Sequence, residues 1–176
     1  MFSEVWNDAV IPQYERGLEE CEICENLQTD KRLLFQTKNW AVYLANNQCY
    51  FGKIIVMLRH HRSSLADLNE SEWTSFHQIV KVIETMYKTL FDATLLNWEC
   101  LMNGAYRNAH PQPHVHFHCI PRFRAPVYFN QKTYVDTEFG SHAIVDKVFD
   151  TSEEEIDLLF RYLKERIDRF IGGIDD

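Results

Sequence analysis

The sequence has 176 residues, of which 45% are hydrophobic and 25% charged, a composition typical of a globular protein with one core. The formal net charge of −8 disfavours binding to nucleic-acid backbones, because phosphate contacts require Lys and Arg. No stretch approaches the ~18 consecutive apolar residues that a membrane-spanning helix needs. The first residues lack the basic start and apolar run of a signal peptide. We therefore expect a cytoplasmic protein with neither a membrane nor a nucleic acid as partner.

The N-terminal half contains two predicted strands and a long helix. Residues 1–20 are of mixed composition, and we expect a helix or an arm there. Strands are predicted over 40–44 and 54–58, the second as a continuous apolar run typical of a central strand. A capping box of Asn69 and Glu72 begins a helix. Its apolar positions recur at helical spacing and predict a core-facing stripe: Trp73, Phe76, Ile79, Val80, Ile83, Met86, Tyr87 and Leu90.

The C-terminal half adds further strands and a second helix. Strands are predicted over 95–102 and 114–120. A second capping box, Thr151 with Glu154, begins a C-terminal helix that ends at the glycine pair 172–173. Strands that precede and follow one helix, with another helix at the end, indicate an α+β fold with an antiparallel sheet.

Three histidines alternate with apolar residues in the predicted strand over 114–120. Because side chains alternate between the faces of a strand, His114, His116 and His118 lie on one face, roughly 6.6 Å apart. Each imidazole has two nitrogens that need partners, so packing alone does not explain the set. Three alternatives remain: solvated surface histidines, a metal site, or attack on phosphorus by a neutral imidazole. At the end of this strand, Arg122 is expected to form a surface ion pair.

Two stretches carry a family resemblance. The stretch from Asn103 to Arg122, with His-Val-His-Phe-His-Cys-Ile-Pro-Arg inside it, resembles the histidine triad (HIT) family of nucleotide hydrolases and transferases. Upstream, Gly52 to His61 followed by Leu65 to Leu68 resembles the family's earlier strand and helix. The resemblance implies an antiparallel sheet packed with a core helix.

The resemblance also implies a domain organisation, an activity and an assembly. We expect one HIT-like domain over 1–176, with its core over about 20–122 and a C-terminal extension over 123–176. The implied enzyme cleaves a phosphoanhydride or phosphoramidate at the α-phosphate through a covalent nucleotidyl-histidine. Such an enzyme is a dinucleoside polyphosphate hydrolase or a nucleoside phosphoramidase, and the family pairs its subunits as homodimers.

Roles for individual residues follow from the same resemblance. His116, the middle histidine, is the expected nucleophile, and His118 the expected contact of the α-phosphate. Asn103 falls where the family has a polar residue near that phosphate. Asn46 or Asn47 is expected to meet the ribose.

One position departs from the family pattern. The family commonly has a glutamine four residues before the first histidine, where this sequence has His110. Gln112 stands close by and offers a shifted hydrogen-bond donor to the substrate.

A Cys-x-x-Cys pair, Cys21 and Cys24, is a candidate for half of a zinc site, which needs two further ligands. In family members with such a pair, the positions of His61 and His114 complete it, so the resemblance implies a structural Zn²⁺. A reduced cysteine pair in a loop is the alternative. A redox role is disfavoured, because neighbouring glutamates are expected to raise the pKa of the thiols.

Two other functions remain open beside the covalent enzyme. One is a metalloenzyme in which the triad itself binds a catalytic metal. The other is a nucleotide-binding module without catalysis, because a shared fold does not settle the chemistry of a site.

Overall fold

The computed structural model describes residues 21–29, 31–143 and 151–172. The helix or arm predicted over 1–20 and the second glycine of the pair 172–173 lie outside the described residues. The described residues form seven strands and four α-helices, in chain order α1 (Glu22–Asn26), β1 (Leu33–Gln36), β2 (Trp40–Leu44), β3 (Ile54–Leu58), α2 (Glu70–Phe91), β4 (Leu95–Glu99), β5 (His116–Arg122), β6 (Val127–Phe129), β7 (Lys132–Tyr134), α3 (Glu153–Lys164) and α4 (Asp168–Ile171). Short 3-10 helices lie at Leu65–Asp67 and Met102–Arg107.

Five strands form one antiparallel sheet in the order β1-β2-β3-β5-β4. The predicted strands over 40–44 and 54–58 are confirmed at those residues, and the α+β class with an antiparallel sheet is confirmed as well. β4 ends at Glu99 rather than at 102, because the chain turns there into the Met102–Arg107 3-10 helix.

Helix α2 packs its buried side against the sheet. The predicted capping box is present: the Asn69 side chain accepts from the amide of Glu72, and the Glu72 carboxylate accepts from the amide of Asn69. Of the predicted stripe, Ile79 and Ile83 are fully buried. Trp73 is 41% exposed, so its place in the stripe was wrong; it stands in the first turn, at the margin of the core.

The predicted C-terminal helix is present, but its start and end differ from the prediction. The capping box is Ser152 with Glu155, one residue later than the predicted pair Thr151 and Glu154. The helix is also divided: α3 ends at Lys164, and the short α4 follows before Gly172. A buried stripe on α3 joins the main core: Ile156, Leu159 and Leu163.

A segment without a sequence prediction joins β5 to the C-terminal helix. It contains the hairpin of β6 and β7, whose Phe129 and Tyr134 rings pack against Phe51 with centroids 5.6 and 4.5 Å away. Arg122 at the end of β5 is buried, and the predicted surface ion pair was wrong. Its guanidinium instead binds the buried carboxylate of Asp136, with Nε donating to Oδ2 at 2.6 Å.

In the part of the chain that the structure describes, no helix combines the length and the apolar character needed to cross a bilayer.

Candidate active site and metal centre

An open groove of about 880 Å³ lies over the face of the sheet opposite α2. Side chains alternate between the two faces of the sheet along each strand. Ile54 and Val56 of β3 therefore point into the core beneath α2, whereas Ile55 and Met57 line the groove. The rim comes from α1, the loop after β2 and the Met102–Arg107 3-10 helix.

The histidines of the triad are divided by the start of β5. The strand begins at His116, so His114 precedes it, although the predicted strand began there. All three side chains line the groove, while Val115 and Phe117 pack in the core. The rings of His116 and His118 meet edge to face, with centroids 5.1 Å apart. His114 is buried, whereas the other two are partly exposed.

The backbone determines which nitrogen of His116 can react. Its Nδ1 lies 2.8 Å from the carbonyl oxygen of His114. A carbonyl only accepts, so Nδ1–H donates, and in the neutral ring the lone pair resides on Nε2. Burial lowers the pKa of His116, which favours that neutral ring. The side chain therefore offers the groove an unprotonated nitrogen with an assigned tautomer.

Four predicted metal ligands come together beside the triad. The ligand atoms of Cys21, Cys24, His61 and His114 all lie within 4.8 Å of one another. Nδ1 of His114 lies 3.4 Å from the Cys21 sulfur and 3.3 Å from the Cys24 sulfur, and Nδ1 of His61 lies 3.5 Å from the Cys24 sulfur. Tetrahedral zinc with ordinary bond lengths separates sulfur and nitrogen ligands by about 3.5 Å. The cluster therefore has the dimensions of a Cys₂His₂ zinc site.

The tautomer of His114 also suits metal binding. Its Nε2–H donates to the carbonyl of Leu58 at 2.7 Å, which leaves the lone pair on Nδ1, the atom nearest the two sulfurs. A hydrogen bond of this kind orients a metal-binding imidazole. His60, the other histidine of its pair, lies apart, with Nδ1 3.8 Å from the Glu72 carboxylate.

The hydrogen bond between the two thiols moves their pKa values in opposite directions. A hydrogen bond with Cys24, joined by one with His114, lowers the pKa of Cys21 to about 3 against the effect of burial. The hydrogen bond with Cys21, burial and nearby Glu25 raise the pKa of Cys24. The expected rise in pKa thus holds for Cys24 and was wrong for Cys21. A thiol pair in which hydrogen bonding lowers the pKa of one member is suited to a cation.

The predicted substrate contacts are also brought to the groove. Asn46, Asn103 and Gln112 all line it, whereas His110 is exposed and is not among its lining residues. The Asn46 side-chain oxygen accepts from Nη1 of Arg32 at 2.7 Å, so its amide nitrogen is the atom left to donate to a ligand.

Two residues of the site had no sequence prediction. Arg32 is 3% exposed and joins Asn46 to two carboxylates of α3, Glu153 and Asp157. Lys53 is also 3% exposed and lines the groove. The alternation of Lys53 with Ile55 and Met57 could have indicated its face, but no local pattern indicates the partners of Arg32.

A family model described as HIT domain matches residues 26–125. The chain belongs to the HIT family. No curated protein sequence matches it significantly. Among solved structures, a hypothetical histidine triad nucleotide-binding protein from Sulfolobus tokodaii is similar at 16% identity and a TM-score of 0.62, covering 85% of this chain and 93% of that one.

Two further solved structures resemble this HIT chain. A diadenosine triphosphate hydrolase from Plasmodium falciparum, in complex with cyclomarin A, shares 15% identity at a TM-score of 0.56, covering 82% of this chain and 81% of that one. A zinc-bound histidine triad family protein from Mycobacterium smegmatis shares 16% identity at a TM-score of 0.55, covering 86% and 97%. At these identities the likeness shows the fold, including the sheet, and not the substrate.

Proposed function

We propose that this HIT protein is a nucleotide hydrolase or nucleotidyl transferase that acts at the α-phosphate through a covalent nucleotidyl-His116 intermediate. The observation that carries the proposal is the hydrogen bond from Nδ1–H of His116 to the carbonyl of His114, because it leaves Nε2 as the nucleophilic nitrogen. The substrate class is a dinucleoside polyphosphate or a nucleoside phosphoramidate, consistent with a diadenosine triphosphate hydrolase among the similar folds.

The reaction proceeds in two displacements at phosphorus. A bond forms between Nε2 of His116 and the α-phosphorus while the bond from phosphorus to the leaving group breaks. Water then attacks the phosphorus and the bond to nitrogen breaks, which releases a nucleoside monophosphate and restores His116. If a second phosphate replaces water, the same intermediate gives transfer.

Donors along the groove can stabilise the charge that develops on the phosphate oxygens. His118 stands next to His116 on the same face of β5 and is proposed to contact the α-phosphate. Asn103 and Gln112 line the groove and are proposed as further donors to the phosphate or the leaving group. Asn46, with its oxygen held by Arg32, presents N–H donors to acceptor oxygens such as those of a ribose.

The Cys-His cluster is proposed to hold a structural Zn²⁺. Cys21, Cys24, His61 and His114 would be its ligands, and the bound ion would cross-link α1 to the start of β5. Among the described residues, His114 is the one triad histidine in the cluster, and His116 is oriented by a carbonyl. This division favours a structural ion over a catalytic metal held by the whole triad.

The assembly and the domain organisation are part of the same proposal. We infer one domain for the whole chain, supported by the packing of α3 on the core beside β1. The family resemblance implies a homodimer. Light scattering of the purified protein should give twice the mass of the chain, and the mass of a monomer would contradict this part.

The experiment that tests the mechanism compares His116→Ala with the wild type on diadenosine triphosphate and on adenosine 5′-phosphoramidate. We expect turnover to fall by about 10³-fold or more, because no other group replaces the nucleophile. His110→Ala is the matched control, since this exposed histidine does not line the groove. Intact-mass measurement after rapid quenching should detect a nucleotidyl adduct on the wild type and none on His116→Ala.

Two outcomes would contradict the mechanism. Equal turnover by the wild type and His116→Ala would remove His116 as nucleophile. Tight nucleotide binding without turnover on any substrate of either class would identify a binding module instead.

A further inference from the structure

Lys53 is a buried lysine that lines the groove. It is 3% exposed, yet its ammonium group makes no hydrogen bond or ion pair within the described part of the chain. Two of the buried arginines differ in this respect: Arg32 binds Glu153 and Asp157, and Arg122 binds Asp136. Burial of an unpaired charge costs several kcal/mol in general, so such a residue indicates a role other than stabilising the fold.

Lys53 lies on the reactive face of the sheet. Lys53 directly precedes β3 and lines the groove with Ile55 and Met57 of that strand, while Ile54 joins the core. Ile55 is paired with His118 across the sheet. Lys53 is therefore the next groove-facing residue beyond the level of His118, and its side chain borders the space beside the triad.

The backbone around Lys53 is held firmly. Gly52 has φ +79°, and a Cβ there would lie 2.6 Å from the ring of Tyr87. The Tyr87 hydroxyl donates to the Gly52 carbonyl at 2.6 Å. The Gln48 side chain accepts from the Gly52 amide and donates to the Lys53 carbonyl at 2.9 and 2.8 Å. The backbone position of the lysine is thus determined before any ligand binds, which reduces the entropy lost on binding.

We propose that Lys53 binds a phosphate group of the ligand, and that this phosphate supplies the counter-charge that the described part of the chain does not provide. A phosphate is the anion that the chemistry proposed at His116 brings into this groove, so the assignment rests on the proposed function. The ammonium donates charge-assisted hydrogen bonds to phosphate oxygens in a site from which much of the water is excluded. Lys53 thereby makes the groove selective for phosphorylated ligands over nucleosides.

The test measures what the phosphate contributes to affinity. Isothermal titration compares AMP with adenosine on the wild type and on Lys53→Met, which keeps the length and apolar stem of the side chain. We expect Lys53→Met to weaken AMP binding by about 10- to 100-fold while adenosine changes by less than about threefold. Lys53→Arg should retain most of the preference for AMP.

Lys31→Met is the matched control. Lys31 also lines the groove, but its side chain is 64% exposed and pairs with Glu153. Its removal should leave the preference for AMP over adenosine within about twofold of the wild type. Equal weakening of AMP and adenosine by Lys53→Met would overturn the proposal.

A second readout separates a binding role from a structural one. Without ligand, Lys53→Met should melt at the same temperature as the wild type or a few degrees higher, roughly 2–5 °C, because an unpaired buried charge is removed. With inorganic pyrophosphate, the wild type should gain thermal stability and Lys53→Met should not. A lower melting temperature for the unliganded variant, or no protection of the wild type by pyrophosphate or AMP, would overturn the proposal.

The outcome is distinguishable from failure of the catalytic mechanism. If His116→Ala keeps full turnover while Lys53→Met loses AMP affinity, the covalent mechanism fails and the phosphate site stands. If His116→Ala loses turnover while Lys53→Met binds AMP as the wild type does, the covalent mechanism stands and the phosphate site at Lys53 fails.

Discussion

The two ends of the groove differ in whether their buried polar groups have partners within the described part of the protein. At the metal end, defined by Cys21, Cys24, His61 and His114, the polar atoms face one another, and Nε2 of His114 donates to a backbone carbonyl. At the lysine end, defined by Lys53, the buried ammonium has no partner in the described part of the chain and borders the groove.

This difference separates groups that maintain the fold from groups that await a ligand. A cluster whose members satisfy one another, with or without an ion, contributes to stability and has little left to offer a substrate. A buried charge that the fold leaves unpaired lowers the stability of the free protein and raises its affinity for an opposite charge. Changes at the metal end should therefore be detected in unfolding, and changes at the lysine end in binding.

The largest expected effect is loss of the proposed zinc site. Cys24→Ala should remove one zinc per chain and lower the free energy of unfolding by more than about 5 kcal/mol, because binding of a structural zinc adds directly to folding. Elemental analysis and urea unfolding measure both quantities. Cys49→Ala, a buried cysteine outside the cluster, is the matched control and should retain the metal.

A chelator gives an independent test of the same site. Prolonged treatment with a strong chelator should reproduce the instability of Cys24→Ala in the wild type and have no further effect on the variant. A wild type that contains no zinc after purification from zinc-supplemented cells would contradict the assignment of the cluster.

How well the sequence predicts each feature depends on how far apart along the chain the residues that form it lie. Strands β2 and β3 and the capping box of α2 are encoded within a few adjacent residues, so their patterns predict them correctly. The metal end joins residues 93 positions apart, Cys21 and His114, and only the family resemblance anticipated it.

Long-range pairs without a family pattern could not be predicted. Arg122 at a strand end suggests a surface residue, but Asp136 folds back over it from a segment with no periodicity. The carboxylate partners of Arg32, Glu153 and Asp157, stand more than 120 positions later in the chain. That Lys53 has no carboxylate partner among the described residues could not be predicted either, because it depends on which distant segments the fold brings beside it.

The next largest effect is expected at a buried cation that has a carboxylate partner, in contrast to Lys53. Arg122→Met should lower the free energy of unfolding by about 3–5 kcal/mol, because it leaves the carboxylate of Asp136 buried without its counter-charge. Lys53→Met is the matched control, since the same kind of change at an unpaired cation should not destabilise the chain. Both variants are measured by urea unfolding.

A double substitution tests whether the lost stability comes from the ion pair of Arg122 and Asp136. Asp136→Asn combined with Arg122→Met should recover part of the loss, because no unpaired charge remains. Strictly additive effects of the two substitutions would show that the ion pair does not carry the stability assigned to it.

A smaller effect is expected where α3 reaches the groove through Arg32. Asp157 accepts from Nη2 of Arg32 at 2.9 Å, and Nη1 of the same guanidinium donates to Asn46. Asp157→Asn should weaken AMP binding by about 3- to 10-fold, because Arg32 then holds the Asn46 amide less firmly. Glu154→Gln, an exposed carboxylate of the same helix, is the matched control. Titration calorimetry measures the affinities.

The positioning role of Asp157 predicts a specific pattern of coupling. In an Asn46→Ala background, Asp157→Asn should cause no further loss of AMP affinity, because the residue through which it acts is absent. An undiminished loss in that background would indicate that Asp157 supports the groove by another route.

The smallest effect is expected at the exposed ion pair of Lys31 and Glu153. Their charged atoms lie 3.6 Å apart, but the side chains are 64% and 71% exposed, so water and salt screen the attraction. Lys31→Met should change the free energy of unfolding by less than about 0.5 kcal/mol in urea. Glu153 also receives a hydrogen bond from the buried Arg32, which survives this substitution. A loss of about 2 kcal/mol or more would be on the order of that expected for a buried ion pair. It would mean that an ion pair contributes the same stability whether it is exposed or buried. The contrast between the two ends of the groove would then lose its physical basis.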